Sequence, residues 1–257
     1  MKSKRNFFNI LRWPTFLVII LITCSSHHFD KVQNEVEAVV SFDKETVLFV
    51  GNSHTYFNDG VDKHLRGFLE QSSLPYAPIV EKIVVGGYTL EDHWSDPATL
   101  AKLAERQWDV VVLQENSSRA ANEKVEARAG IRNLSAKIKD EKTQIYLFMT
   151  WAYRDQPEMI NSIQETYESI APLVGGANVP VGLLFDSIVK EKVDGIDLYN
   201  ADGVHPSLEG TFLTAALFYT AIYNLDPIQS AYTSSLDTAT ADYLKEKAQQ
   251  FYTDYKN

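Results

Sequence analysis

Two short stretches far apart in the chain carry side chains that could do chemistry together. The first is Ser53, in the segment TVLFVGNSHTYFNDG from Thr46 to Gly60. A serine hydroxyl is a weak nucleophile until a neighbouring base takes its proton. The second is Asp202 and His205, three residues apart in the loop NADGVHPS from Asn200 to Ser207. A carboxylate that close can hold an imidazole in one tautomer and stabilise the imidazolium formed during base catalysis. Each stretch alone also has an ordinary explanation. Gly, Asn and Ser are turn residues, and Asp202 can cap a local Asx-type turn that leaves His205 on the surface.

The residues around them read as alternating strands and helices. Val47 to Val50 is an apolar run suited to a strand inside a parallel sheet. Gly51 ends it, leaving Asn52, Ser53 and His54 at the strand's carboxyl end, where open α/β sheets bind ligands. A helix follows, with Val61, Leu65, Phe68 and Leu69 on one face and Asp59 as its cap. Ala77 to Val85 is a second strand, ending at Gly86 and Gly87. Asp96 to Arg106 is a helix with Asp96 as cap and Pro97 at its first position. Trp108 to Leu113 is a third strand and Asn122 to Lys139 a helix; Gln144 to Thr150 is a fourth strand and Pro157 to Leu173 a helix.

Val179 to Leu184 is expected as a fifth strand, with Pro180 near its start, and Asp186 to Lys192 as a short helix. Ser207 to Tyr223 is apolar enough for a helix buried on most sides. Leu236 to Tyr255 is a more polar helix with Ala241, Leu244, Ala248 and Phe251 on one stripe. Five strands alternating with helices predict one α/β domain, a three-layer α/β/α sandwich around a five-stranded parallel sheet.

The N-terminus reads as a targeting signal. Lys2, Lys4, Arg5 and Arg12 precede an uncharged apolar core, Phe16 to Ile22, too short to be a typical membrane span. Leu21-Ile22-Thr23-Cys24 resembles a bacterial lipobox, in which Cys24 is lipidated and becomes the mature N-terminus. The expected organisation is a signal peptide over residues 1–23, a polar tether over 24–43 and the folded domain over 44–257. This places the protein in a bacterial cell envelope, in contact with membrane only through its lipid. Cys24 is the single cysteine, so the mature domain has no disulfide framework, thiol nucleophile or cysteine metal site. The formal charge is −10, and about −14 without the four basic signal residues. That argues against nucleic acid or an anionic lipid surface as partner.

The order of the two stretches, with a serine after the first strand and D-x-x-H before the last major helix, resembles the SGNH (GDSL-like) hydrolases. V-L-F-V-G-N-S-H-T and D-G-V-H-P-S are similar to the bacterial branch carrying G-N-S and L-Q-E-x-S blocks, and the resemblance spans roughly Val47 to Tyr223. It implies a flavodoxin-like sheet and a Ser53–His205–Asp202 triad. It also implies an oxyanion hole built from the Ser53 N–H, a glycine N–H after the second strand and a side-chain amide after the third. Gly87 or Gly86 would supply the glycine. Gln114 at the strand end would supply the amide, with Asn116 as the alternative, because L-Q-E-N-S stands where the family has G-x-N-D.

His54, His93, Trp151 and Tyr153 are candidates to line the substrate site, and packing is the alternative for each. No histidine pair has metal-ligand spacing, so no cofactor is expected. The implied activity is hydrolysis of small esters, such as O-acetyl groups on carbohydrate, by a monomer. The alternatives are a catalytically silent glycan-binding envelope protein and a lipase or thioesterase.

Overall fold

A computed structural model describes residues 43–138 and 140–257. The expectations for the signal peptide, Cys24 and most of the tether lie outside these residues. In chain order the elements are β1 (Thr46–Gly51), α1 (Ser53–Tyr56), α2 (Val61–Glu70), β2 (Ile79–Val84), α3 (Leu90–Ser95) and α4 (Pro97–Ala104). Next come β3 (Val110–Leu113), α5 (Ser117–Asn122), α6 (Lys124–Ser135), β4 (Gln144–Phe148), α7 (Met159–Ile170) and β5 (Gly176–Val179). The chain ends with α8 (Val181–Glu191), α9 (Leu208–Tyr223) and α10 (Thr238–Lys256). All the strand pairs are parallel and the order is β2-β1-β3-β4-β5, so the predicted five-stranded α/β/α sandwich is the architecture found.

Alternation along the strands builds both faces of the sheet. Val47, Phe49, Val110, Val112 and Phe148 pack against α2, α8, α9 and α10. Leu48, Val50, Val111, Leu113 and Leu147 pack against the helices that carry Leu90, Ala120, Ile131 and Ile163. Because both faces are covered, the central strands are apolar throughout rather than alternating with polar residues. Helix α9 is buried over almost its whole length, as its composition predicts.

The fifth strand is not where its apolar run suggests. Residues 181–184 open α8, and β5 is the short segment Gly176–Val179. Val181, Leu184, Phe185 and Ile188 recur at helical spacing and are all buried. Pro180 sits at the helix start, where a missing N–H costs nothing. Two helix starts also differ from expectation. Gly60, not Asp59, is the N-cap of α2, and the helix predicted from Asn122 starts at Lys124 as α6, because Asn122 ends a separate short helix, α5. Asp96 caps α4 as predicted, accepting from Ala98 and Thr99 N–H.

Candidate active site

Ser53 opens the four-residue helix α1, directly after β1. Asn52 caps that helix, its Oδ1 accepting from His54 N–H at 3.1 Å. The N–H groups of a first helical turn have no i−4 partner within the helix, and among the described residues the Ser53 N–H, at the sheet's carboxyl edge, makes no hydrogen bond. Gly51 is required at the strand end, because a Cβ there would lie 2.4 Å from Gln114 Oε1.

The loop after α8 delivers the other two groups. His205 Nε2 lies 2.9 Å from Ser53 Oγ, and His205 Nδ1 lies 2.6 Å from Asp202 Oδ2. The carboxylate accepts the Nδ1 proton, so in the neutral ring Nε2 is bare and accepts from the serine hydroxyl. The second oxygen, Oδ1, accepts from Val204 and His205 N–H, both at 2.9 Å. The local Asx-type turn and the triad contact therefore coexist, one on each oxygen. Burial raises the Asp202 pKa, but the hydrogen bonds from the His205 ring and the two N–H groups outweigh it and hold the carboxyl down at about 2.

Several residues that sequence reasoning missed hold this loop against Ser53. Phe57 stacks on the His205 ring, with centroids 4.0 Å apart and planes within 8°. Asn58 Nδ2 donates to Pro206 O and Thr211 Oγ1 at 2.9 Å. From the other side, Arg154 N–H donates to Gly203 O at 2.8 Å, and its guanidinium reaches the Asp197 carboxylate and Tyr199 O. A positive φ at Asn58, stacking geometry and a lone arginine leave no pattern in a single sequence.

The oxyanion side follows from strand register. Gly51 pairs with Val84 and Val50 with Leu113, so Ser53, Gly86 and Asn116 stand equally far beyond their paired rungs. Gly87 follows Gly86 in the turn closed by Tyr88 N–H on Val85 O, at φ +78.

Gln114 cannot serve as the donor expected of it. Its Oε1 accepts from Asn52 N–H at 2.8 Å and Thr55 Oγ1 at 2.9 Å, which fixes the amide's orientation. Both Nε2 hydrogens are then spent on Asn52 Oδ1 and Glu115 O, at 3.0 and 2.9 Å, inside the protein. Gln114 is a bracket between β1 and β3. Asn116 has the complementary pattern. Its Oδ1 caps α5 by accepting from Ser118 and Arg119 N–H, and its half-buried NH2 group has no partner among the described residues.

The lining candidates divide. His93 is fully buried, with its ring nitrogens on Gly51 O and Thr99 Oγ1, both at 2.8 Å. Trp151 is also fully buried, stacked on Phe185 at 4.3 Å and donating to Val204 O, so it supports the His205 loop from beneath. His54 is buried against the Trp151 ring, 4.7 Å away, and donates from Nδ1 to Asn52 Oδ1. Burial, helped by the nearby His205, pushes its pKa down to about 3, so the ring is neutral. These three pack and position rather than face a substrate. Of the four, only Tyr153 is half-exposed.

No protein-family model matches the sequence, and no curated protein matches it. Solved structures do match. A DUF4886 family protein from Bacteroides uniformis superposes with a TM-score of 0.66 at 20% identity, over 81% of this chain and 94% of the other. A Slackia heliotrinireducens protein assigned to the SGNH hydrolases gives 0.60 at 25% identity, over 70% of this chain and 100% of the other. A catalytic mutant of an acetylxylan esterase from Geobacillus stearothermophilus gives 0.57 at 17% identity, over 71% and 95%. With the five-stranded parallel sheet in the order 2-1-3-4-5, these likenesses establish that the chain has the fold of the SGNH hydrolases.

Proposed function

We propose that the protein is a serine esterase that hydrolyses small acyl esters through an acyl-enzyme. The observation that carries this reading is the unbroken chain from Asp202 through His205 to Ser53, at 2.6 and 2.9 Å. Ser53 Oγ attacks the ester carbonyl carbon while His205 Nε2 takes its proton. The tetrahedral intermediate collapses, and the leaving alcohol receives that proton. Water then attacks the acyl-Ser53 with His205 again as base, releasing the acid and restoring the serine. The intermediate's oxygen is held by the Ser53 N–H, the Gly87 N–H and the Asn116 amide. Losing one such donor costs roughly 3 kcal/mol of transition-state stabilisation.

The acetylxylan esterase among the structural relatives supports an O-acetyl group on carbohydrate as the substrate. Tyr56, 36% exposed, stacks on Phe57, whose ring in turn stacks on His205, so an exposed aromatic lies close to the triad. The test is turnover of p-nitrophenyl acetate and of acetylated xylan. Wild type should hydrolyse both substrates and Ser53→Ala neither. A folded but inactive wild type would instead support a silent glycan-binding protein. We further propose that Cys24 anchors the chain by lipid in a bacterial envelope, on the strength of the apolar core and lipobox-like residues before it.

A further inference from the structure

The block that departs most from the family pattern places a carboxyl group inside the protein. Glu115 is fully buried and has no ion pair with any described residue. What it does have is backbone. Its Oε1 accepts from Asn116 N–H at 2.6 Å, and both oxygens face Leu90 N–H, at 3.3 and 3.2 Å. Asn116 carries the free side-chain amide after β3. Leu90 opens α3, three residues past Gly87, the other donor loop. One carboxyl group therefore spans the two segments that supply oxyanion donors from outside α1. The neighbouring helix makes room for it: a Cβ on Gly130 of α6 would sit 3.2 Å from Glu115 Oε2 and 3.1 Å from Glu91 N. Tyr167 fixes the other end, its hydroxyl accepting from Glu115 N–H at 3.1 Å.

We infer that Glu115 is a positioning residue that clamps the Gly86–Gly87 loop to Asn116 and so sets the spacing of the oxyanion hole. The role rests on the esterase reading and on Asn116 as its amide donor. Burial at this site has a cost that a surface acid would avoid, and the buried carboxyl is the group that joins the two donor loops. Burial pushes the carboxyl up to about 8, against the pull of the Asn116 and Leu90 N–H groups. The clamp needs an acceptor at the right reach more than it needs a charge. Gln keeps the reach and one acceptor oxygen for both N–H groups. Asp keeps the charge but draws the acceptor back by one methylene.

The experiment is steady-state hydrolysis of p-nitrophenyl acetate by wild type, Glu115→Asp, Glu115→Gln, Asn116→Ala and the Glu115→Asp/Asn116→Ala double variant, each checked for cooperative thermal unfolding. Glu115→Asp should lower kcat by about 10-fold or more with KM nearly unchanged, as a shift of about 1 Å at the donors implies. Glu115→Gln should stay within about 3-fold of wild type, and the double variant should lose less than the product of the single losses. Equal kcat in wild type and Glu115→Asp, a Gln variant as impaired as Asp, or fully multiplicative losses would each overturn the clamp while leaving the esterase reading intact. A wild type without turnover would overturn the esterase reading, and this role with it.

Discussion

Among the single residues, the three that the structure brings together as a candidate triad were readable from type and order. A serine at a strand end and an Asp–x–x–His loop are distinctive once both are seen on one chain. The amide donor was not readable, because Gln114 and Asn116 are two residues apart and chemically alike. What separates them is occupancy: Gln114 has every side-chain hydrogen-bonding atom engaged, and the Asn116 NH2 has no partner among the described residues. Asn116→Ala should therefore lower kcat by about 10²-fold with little change in KM, since the oxyanion exists only after attack. Gln114→Ala removes the partners of Asn52 N–H and Thr55 Oγ1, and each orphaned group costs about 1–3 kcal/mol. Its dominant effect should be a lower unfolding midpoint. Kinetics and denaturant melts on both variants check this ranking, and a kcat-specific loss in a stable Gln114→Ala would contradict it.

Secondary-structure elements were legible wherever an apolar period ran unbroken. β3 is buried throughout, β1 after its first residue and β4 over its last three, and α4 begins at the Asp96–Pro97 signal. β5 was misread because GANV carries little apolar signal, while the adjacent helix begins with an apolar run of strand length. α3 was missed because six residues are too few to show a period, although Thr89 and Asp92 form a capping box around its start. Two buried groups at element junctions make stability depend on pH in opposite senses. Glu115 joins β3 to α3, with Asp92, Arg119 and Tyr167 as its charged or titratable neighbours, and burial raises its pKa from 4.5 to about 8. The folded state holds that proton more tightly, so stability falls as pH rises from 4.5 and levels off above about 8. His54 in α1 is lowered from 6.5 to about 3, so its stabilising effect is complete above 6.5 and is lost as pH drops toward 3. The two oppose each other between 4.5 and 6.5, and of the pair only Glu115 acts from 6.5 to 8. Thermal melts should show stability falling across that upper window in wild type and a flat limb in Glu115→Gln. Parallel curves for the two proteins would contradict the assignment.

At the scale of the whole molecule, the sequence predicted a parallel three-layer fold, and the structure has one. The placement of the site follows from that topology: β1, β2 and β3 are neighbours in register, so their carboxyl ends bring Ser53, the glycine pair and Asn116 to one edge. The proposed lipid anchor predicts that the full-length chain fractionates with membranes and that Cys24→Ser releases it or leaves the precursor uncleaved. Unchanged processing and membrane association in that variant would remove the anchor. The central claim is that Ser53 is a nucleophile activated by His205. Its most direct measurement is intact and peptide mass spectrometry after exposure to a fluorophosphonate ester. A single adduct on the peptide containing Ser53, absent in Ser53→Ala and formed much more slowly in His205→Ala, is the predicted result. No adduct on the folded wild-type protein, or an adduct on a different residue, would contradict the account.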